Sequence, residues 1–317
     1  MRLVITAAAL LLGLPLVSAC VHSAVYSNRA EKAHPPAGDI VSLNETPTHV
    51  VRRGTDGPPV LMIHGASANA EEFTHTLAPR LDDRFQVLIA DRPGHGYSAR
   101  PSGGYELETQ AAQMAAILET YAGDEPAIIV GHSFGGAVAL RLALDYPDRV
   151  AGLVLLAPVS HDWGGGGVAW HTRYAASPVL GPVFAQLVPI VGPGVVEDGI
   201  SGVFHPEPAP DEYYRKAALP LLFRPSHFRS NAKDVANLRG ELAAQQARYG
   251  ELTMPIVVFS GVQDTVIKPE LHVGRLRQML DQVEVVEIAE GGHMPHHAHG
   301  AAIADVITRL AMPTHSE

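Results

Sequence analysis

The chain has 317 residues, of which 46% are hydrophobic, 6% aromatic and 18% charged, with a single cysteine. That apolar content excludes a disordered chain, and one cysteine excludes both an intramolecular disulfide and a cysteine-rich zinc site. The 23 basic against 33 acidic side chains give a net charge of −10 with no basic run longer than a pair, which argues against a nucleic-acid partner because phosphate binding needs clustered positive charge.

Met1-Arg2 is followed by an uncharged apolar stretch over 3–17 and then by Ser18-Ala19-Cys20. One positive residue, a short apolar core and a small-residue exit form the layout of an export signal, here residues 1–19. The apolar stretch is shorter than the roughly 20 residues that a spanning helix needs. Val17-Ser18-Ala19-Cys20 resembles the lipobox of bacterial lipoproteins. That resemblance implies that Cys20 is acylated, becomes the mature N-terminus and anchors the protein to a membrane of the cell envelope. The alternative is an ordinary secretory signal that leaves a free thiol on a periplasmic or secreted soluble protein. Residues 20–39 are polar, contain Pro35-Pro36 and show no sustained period, which predicts a linker.

From Ile40 onward, short apolar runs alternate with longer stretches of helical period. The runs at 60–64, 86–91, 127–130, 153–157, 256–260 and 283–288 are rich in Val, Ile and Leu with little alternation, as strands buried on both faces should be. Leu107, Ala111, Met114, Leu118 and Tyr121 recur at helical spacing, as do Val138, Leu142 and Tyr146, and 301–310 reads the same way. Strands alternating with helices predict an α/β fold with a mostly parallel central sheet and helices on both faces. The alternation stops over 160–252, which is too long for a loop and predicts an inserted helical cap between two halves of the core, 40–159 and 253–317. One amphipathic helix in it carries Val235, Leu238, Leu242 and Tyr249 on a shared face. The glycines at 164–167 lack phosphate-loop spacing.

Gly131-His132-Ser133-Phe134-Gly135 follows one apolar run and precedes a helical pattern. This G-x-S-x-G in a strand–turn–helix setting is a nucleophile elbow, whose triad partners follow in the order acid, then histidine. Asp264 lies just past the run at 256–260, and His293 follows the run at 283–288. Both therefore belong to loops at the carboxyl edge of the sheet, where ligand chemistry sits. Asp162, after the strand that precedes the cap, is the competing acid. His132 and His95 stand in the wrong chain position for the base and read as loop-packing residues. His293, His296, His297 and His299 cluster in sequence, but Pro295 and the lack of a carboxylate at zincin spacing argue against a metal.

The elbow with the late Asp and His resembles the α/β-hydrolase fold superfamily in its lidded serine hydrolase and esterase branch. His64-Gly65-Ala66 resembles its oxyanion loop, and Asp91-Arg92-Pro93-Gly94-His95-Gly96-Tyr97-Ser98 the turn after the next parallel strand. The resemblance spans about 40–310. It implies Ser133 as nucleophile, His293 as base and Asp264 as acid, with an oxyanion hole of the Phe134 and Ala66 backbone N–H groups. Asp91 and His64 would hold loops. Relatives that open epoxides or displace halide carry a carboxylate at the elbow, so Ser133 disfavours those reactions. The expected activity is hydrolysis of a small or medium carboxylic ester or lactone, with no metal or organic cofactor. The alternatives are a C–C hydrolase or cofactor-free perhydrolase with the same triad, and a non-catalytic membrane-tethered binding protein. The sequence specifies neither the substrate nor the oligomeric state.

Overall fold

The structure, a computed structural model, describes residues 2–54 and 57–312, with side chains from residue 14 onward. It opens with helix α1 (Arg2–Ala33), so the linker expected over 20–39 is helical as far as Ala33. Ala19, Ser23, Tyr26 and Ala30 recur at helical spacing, and all but the half-buried tyrosine are fully buried. Small residues let this face approach its neighbour closely, yet they do not register as an apolar stripe in a sequence. The helix rests on the cap: Tyr26 donates to the Pro220 carbonyl at 3.3 Å, and Glu31 pairs with Arg224 at 2.9 Å.

Strands β1 (Asp39–Leu43) and β2 (Thr46–Arg53) follow as an antiparallel hairpin that the sequence did not suggest. Asn44 and Glu45 turn it with φ of 47° and 60°, the positive values a two-residue hairpin loop needs. Without a glycine there, the turn signal is weak. The remaining strands lie where the apolar runs predict them: β3 (Pro59–Ile63), β4 (Gln86–Ala90), β5 (Ala127–His132), β6 (Val150–Leu156), β7 (Ile256–Gly261) and β8 (Val283–Ile288). The eight strands are ordered β1-β2-β4-β3-β5-β6-β7-β8, parallel throughout except at β1–β2 and β2–β4.

Helices α2 (Glu71–Thr74), α3 (Leu107–Ala122) and α4 (Phe134–Asp145) precede the cap. The cap is built of α5 (Trp170–Ala176), α6 (Gly181–Phe184), α7 (Val188–Val191), α8 (Val196–Phe204), α9 (Tyr213–Lys216) and α10 (Pro225–Gln245). Helices α11 (Pro269–Met279), α12 (Pro295–Ala298) and α13 (Gly300–Ala311) complete the core. Neighbouring residues of the central strands feed opposite layers. Leu61, Ile63, Ile129 and Leu153 pack with α3 and α4, whereas Val60, Met62, Ile128 and Val154 pack with Phe73 and with Ile303 and Ile307 of α13. Side chains alternate across a strand, so a sheet covered on both faces needs uninterrupted apolar runs. On α10, Leu238 and Leu242 are buried against the first of these layers together with Tyr249, while Val235 is half-buried.

Candidate active site

Ser133 stands between β5 and α4 at φ 50°, ψ −115°, a conformation that costs energy for a residue with a Cβ and must be held by its surroundings. Three backbone bonds hold it. Its N–H donates to the Leu156 carbonyl at 2.9 Å, and its own carbonyl accepts from Gly136 at 3.0 Å and Val159 at 3.1 Å. The turn is also tight enough to demand glycine at 135, where a Cβ would stand 2.1 Å from the Ile63 carbonyl oxygen.

The three residues singled out by order and edge meet here. His293 Nδ1 lies 2.7 Å from Asp264 Oδ2, and its Nε2 lies 3.0 Å from Ser133 Oγ. An ionised carboxylate only accepts, so Nδ1 carries the proton and Nε2 is left to accept from the serine hydroxyl. The other oxygen of Asp264 accepts from the Val266 and Ile267 N–H groups at 2.8 and 3.1 Å, which fixes the carboxylate plane. The competing Asp162 is turned elsewhere: its Oδ1 accepts from Arg239 Nε at 2.7 Å and from the Gly164 N–H at 3.0 Å.

The N–H of Phe134 heads α4 and so has no acceptor within that helix; Ala66 lines the same cavity as Ser133. The loop carrying Ala66 is held by Arg92, which is fully buried. Its Nε donates to the His64 carbonyl and its Nη2 to the Gly65 carbonyl, each at 3.1 Å. Its Nη1 donates to Asp234 Oδ2 on α10 at 2.8 Å and to Gln110 at 2.9 Å. Asp234 also accepts from Arg100 at 2.6 Å. One guanidinium thus ties a cap helix to the loop beside the serine. Asp91 bridges in the way the family pattern implies, accepting from the Ala70 and Tyr97 N–H groups at 2.8 Å each and from His49 at 2.7 Å. His64 donates from Nδ1 to the Gly65 carbonyl at 2.8 Å and accepts the Arg92 N–H at Nε2 at 3.1 Å.

Two contributors escaped sequence analysis. His132, expected only to pack a loop, donates from Nε2 to the carbonyl oxygen of His293 at 2.9 Å and so positions the backbone that carries the imidazole. Its Nδ1 is buried without a partner among the described residues, and burial, then the nearby His296 and His293, pushes its pKa well below the usual range. Glu72 on α2 is the other. Its Oε1 accepts from His296 at 2.8 Å and His297 at 2.6 Å, and its Oε2 from Tyr213 of the cap at 2.8 Å. Burial pushes this carboxyl up, but the two imidazole hydrogen bonds outweigh it and hold Glu72 well below its ordinary value. The ligand atoms of Glu72, His296 and His297 lie within 4.8 Å of one another, which makes them the group among the described residues that could hold a cation. The carboxylate arrives from more than 220 residues away in sequence, so no local spacing could reveal it. His299 stands apart from that group, 3.7 Å from Glu207.

Above Ser133 and His293 lies a cavity of about 450 Å³. Its roof is apolar, formed by Val195, Val196, Ile200 and Val203 of the cap with Leu219 and Phe223. Ser67, Glu72, His132, Ser133 and His293 supply polar groups from the core side, and His171 and Tyr213 add two from the cap.

The family model for the alpha/beta hydrolase fold matches residues 58–178. Among solved structures, the epoxide hydrolase CorEH superposes with a TM-score of 0.70 at 19% identity, over 85% of this chain and 96% of that one. The protein has the α/β-hydrolase fold. Among sequence relatives, the uncharacterized protein Rv2715 of Mycobacterium tuberculosis is 28% identical over 80% of this chain and 75% of its own length. Lipase LipV of the same organism is 43% identical over 113 residues, 35% of this chain and 41% of that protein. Within the α/β-hydrolase fold, the elbow serine, the loop after β7 and the loop after β8 occupy one edge of the sheet, with the cap closing over them.

Proposed function

We propose that the protein is a serine hydrolase that cleaves a small or medium carboxylic ester or lactone. The observation that carries this reading is the continuous hydrogen-bond chain Asp264–His293–Ser133, with spacings of 2.7 and 3.0 Å. Ser133 Oγ attacks the acyl carbon while its proton passes to His293 Nε2, and Asp264 stabilises the imidazolium through Nδ1–H. The carbonyl oxygen becomes an oxyanion facing the N–H groups of Phe134 and Ala66. Collapse expels the alcohol, protonated by His293, and leaves an acyl-enzyme. Water deprotonated by the same imidazole then releases the acid. The apolar roof of the cavity favours an apolar acyl or alcohol part, and the similarity to LipV supports ester cleavage. A serine at the elbow argues against the carboxylate-nucleophile chemistry of epoxide-opening relatives.

Fluorophosphonate labelling tests the nucleophile. The wild type should label and turn over an ester panel, and Ser133→Ala should do neither; equal labelling of the two would overturn the reading.

Export and lipid anchoring through Cys20 form part of the same proposal. Cys20 is exposed, and among the described residues no single helix is long and apolar enough to cross a membrane. Cys20→Ala should sharply reduce the membrane-bound share of the protein while leaving its turnover of a water-soluble ester per molecule unchanged. An unmodified thiol on wild-type mature protein, measured by intact mass, would refute the anchor alone.

A further inference from the structure

Nine large hydrophobic side chains are exposed in the cap between Trp170 and Val195, and five more on α1 between Leu14 and Val25, of which Val21 and Val25 follow Cys20 and stay in the chain once residues 1–19 are removed. Outside these two segments only five such side chains are exposed among the described residues. Scattered single apolar residues are ordinary, but a contiguous patch marks a contact surface. The two segments adjoin, because α1 packs against α7 and the turn Ala185–Leu187. The cap stretch is also nearly free of charge. Residues 164–196 hold one charged side chain, Arg173, in a chain that is 18% charged, and no acid at all. Solubility alone would not deplete charge so locally.

We propose that this face of the cap, α5 to α7 with the turn Gly192–Gly194, seats on a lipid bilayer surface and takes the hydrolase's substrate from the lipid phase. Three observations select a bilayer over other apolar partners. First, the helix that carries Cys20 lies against the patch, so an acyl chain on that residue would enter the membrane beside it. Second, the segments cannot span. α5 and the run Gly181–Gly194 are bent by 115° at the break between them, and at 1.5 Å per residue neither arm exceeds about 21 Å against a hydrocarbon core of about 30 Å. Short apolar arms joined by so sharp a bend suit the interface plane, where tryptophan is favoured. Third, the patch borders the cavity: Val195 is exposed and also lines the space above Ser133, with Gly192 and Val196 beside it. An apolar ester dissolved in the bilayer would reach the serine without crossing water. The docking half of this proposal rests on the exposed surface and on the proposed Cys20 anchor, whereas the substrate half rests on the ester-hydrolase reading.

Trp170, 64% exposed, is one of only two tryptophans, so a full-length Trp163→Phe protein makes it the sole reporter. The protein is mixed with phosphatidylcholine–phosphatidylglycerol vesicles in which part of the phosphatidylcholine carries brominated acyl chains. The expected result is co-flotation, a blue-shifted Trp170 emission and bromine quenching of roughly half of it or more. Val179→Ser/Leu180→Ser/Ile190→Ser should lose the quenching. It should also lower turnover of a long-chain ester dispersed in the vesicles by about tenfold or more, while a water-soluble short-chain ester is turned over within about twofold of wild type. Vesicle-bound protein with unquenched Trp170 overturns the proposal, as does protein that fails to float. A blue-shifted Trp170 without vesicles, in a particle of twice the mass, overturns it in favour of a contact between two copies. Absence of turnover of either ester by the wild type would remove the hydrolase reading and the substrate half, while the quenching still decides the docking half.

Discussion

Asp264 spends one oxygen on His293 and the other on two backbone N–H groups of its own loop. That division gives the residue two jobs, charge partner and orientation of the imidazole. Asp264→Asn keeps the shape but offers an amide in place of an acceptor-only carboxylate, so His293 no longer has a fixed tautomer. A loss on the order of 10³–10⁴ in kcat is expected, by analogy with the same change in other triads. Asp162→Asn breaks only a half-exposed contact with Arg239 and should leave kcat within about twofold, since exposed pairs contribute little. Steady-state kinetics of the two variants separates the candidates, and a severe loss confined to Asp162→Asn would reverse the assignment. These two acids also mark how far the sequence reaches. Chain order and loop position were enough to nominate Ser133, Asp264 and His293, because the elbow fixes which edge of the sheet matters. His132 and Glu72 were invisible as contributors, because what they touch, a carbonyl and two imidazoles, is set by tertiary approach of segments far apart in sequence.

At the scale of elements, the cap is joined to the core by a buried ion pair as well as by apolar packing. Arg92 and Asp234 are both fully buried, and burial lowers the pKa of Arg92 more than the opposing Asp234 charge raises it. Removing one charge strands the other, which costs about 3–5 kcal/mol in such settings. Asp234→Asn is therefore expected to lower the urea midpoint sharply and to reduce kcat as well, because the same guanidinium holds the His64 and Gly65 carbonyls beside the cavity. Arg92→Met/Asp234→Leu should regain much of the midpoint but not the rate, since those carbonyls stay without their donor; equal recovery of both would show that the pair serves stability alone. The apolar runs made the six central strands legible, and the 3.6-residue period revealed α3, α4 and α10. The β1–β2 hairpin and the second half of α1 were not legible, for opposite reasons. The hairpin turns on Asn44-Glu45 without glycine, and α1 buries alanine and serine rather than leucine.

Among the described residues, several histidines are buried where burial disfavours their charged form. Burial, then Arg92, pushes His64 down to about 3, and burial pushes His296 down to about 4. His95, His132 and His227 are also held well below the usual range, burial again being the first cause. On unfolding, each regains an ordinary imidazole that takes up a proton near pH 6.5. Below that pH the unfolded chain binds more protons than the folded one, so stability falls as pH falls, from about 6.5 down to the folded-state values. One such group contributes about 1.4 kcal/mol per pH unit, so chemical denaturation should show a loss of at least about 2 kcal/mol between pH 7 and pH 5. Glu72 and Asp91, both held below their ordinary values by imidazole hydrogen bonds that outweigh burial, add to the loss at still lower pH. A flat profile over that window would mean that these histidines take up protons in the folded state as readily as in the unfolded chain.

The two outermost strands decide how the molecule can meet copies of itself. An open sheet offers unpaired backbone groups at each edge, a template for adding another strand. Here β1 begins at Asp39, paired with Arg52 at 3.0 Å, and β8 carries Glu284 and Glu287, the former paired with Arg309 at 2.7 Å. Charge at both margins makes fibre-like growth by strand addition unfavourable. Copies brought close together at high concentration would therefore have little tendency to join strand to strand.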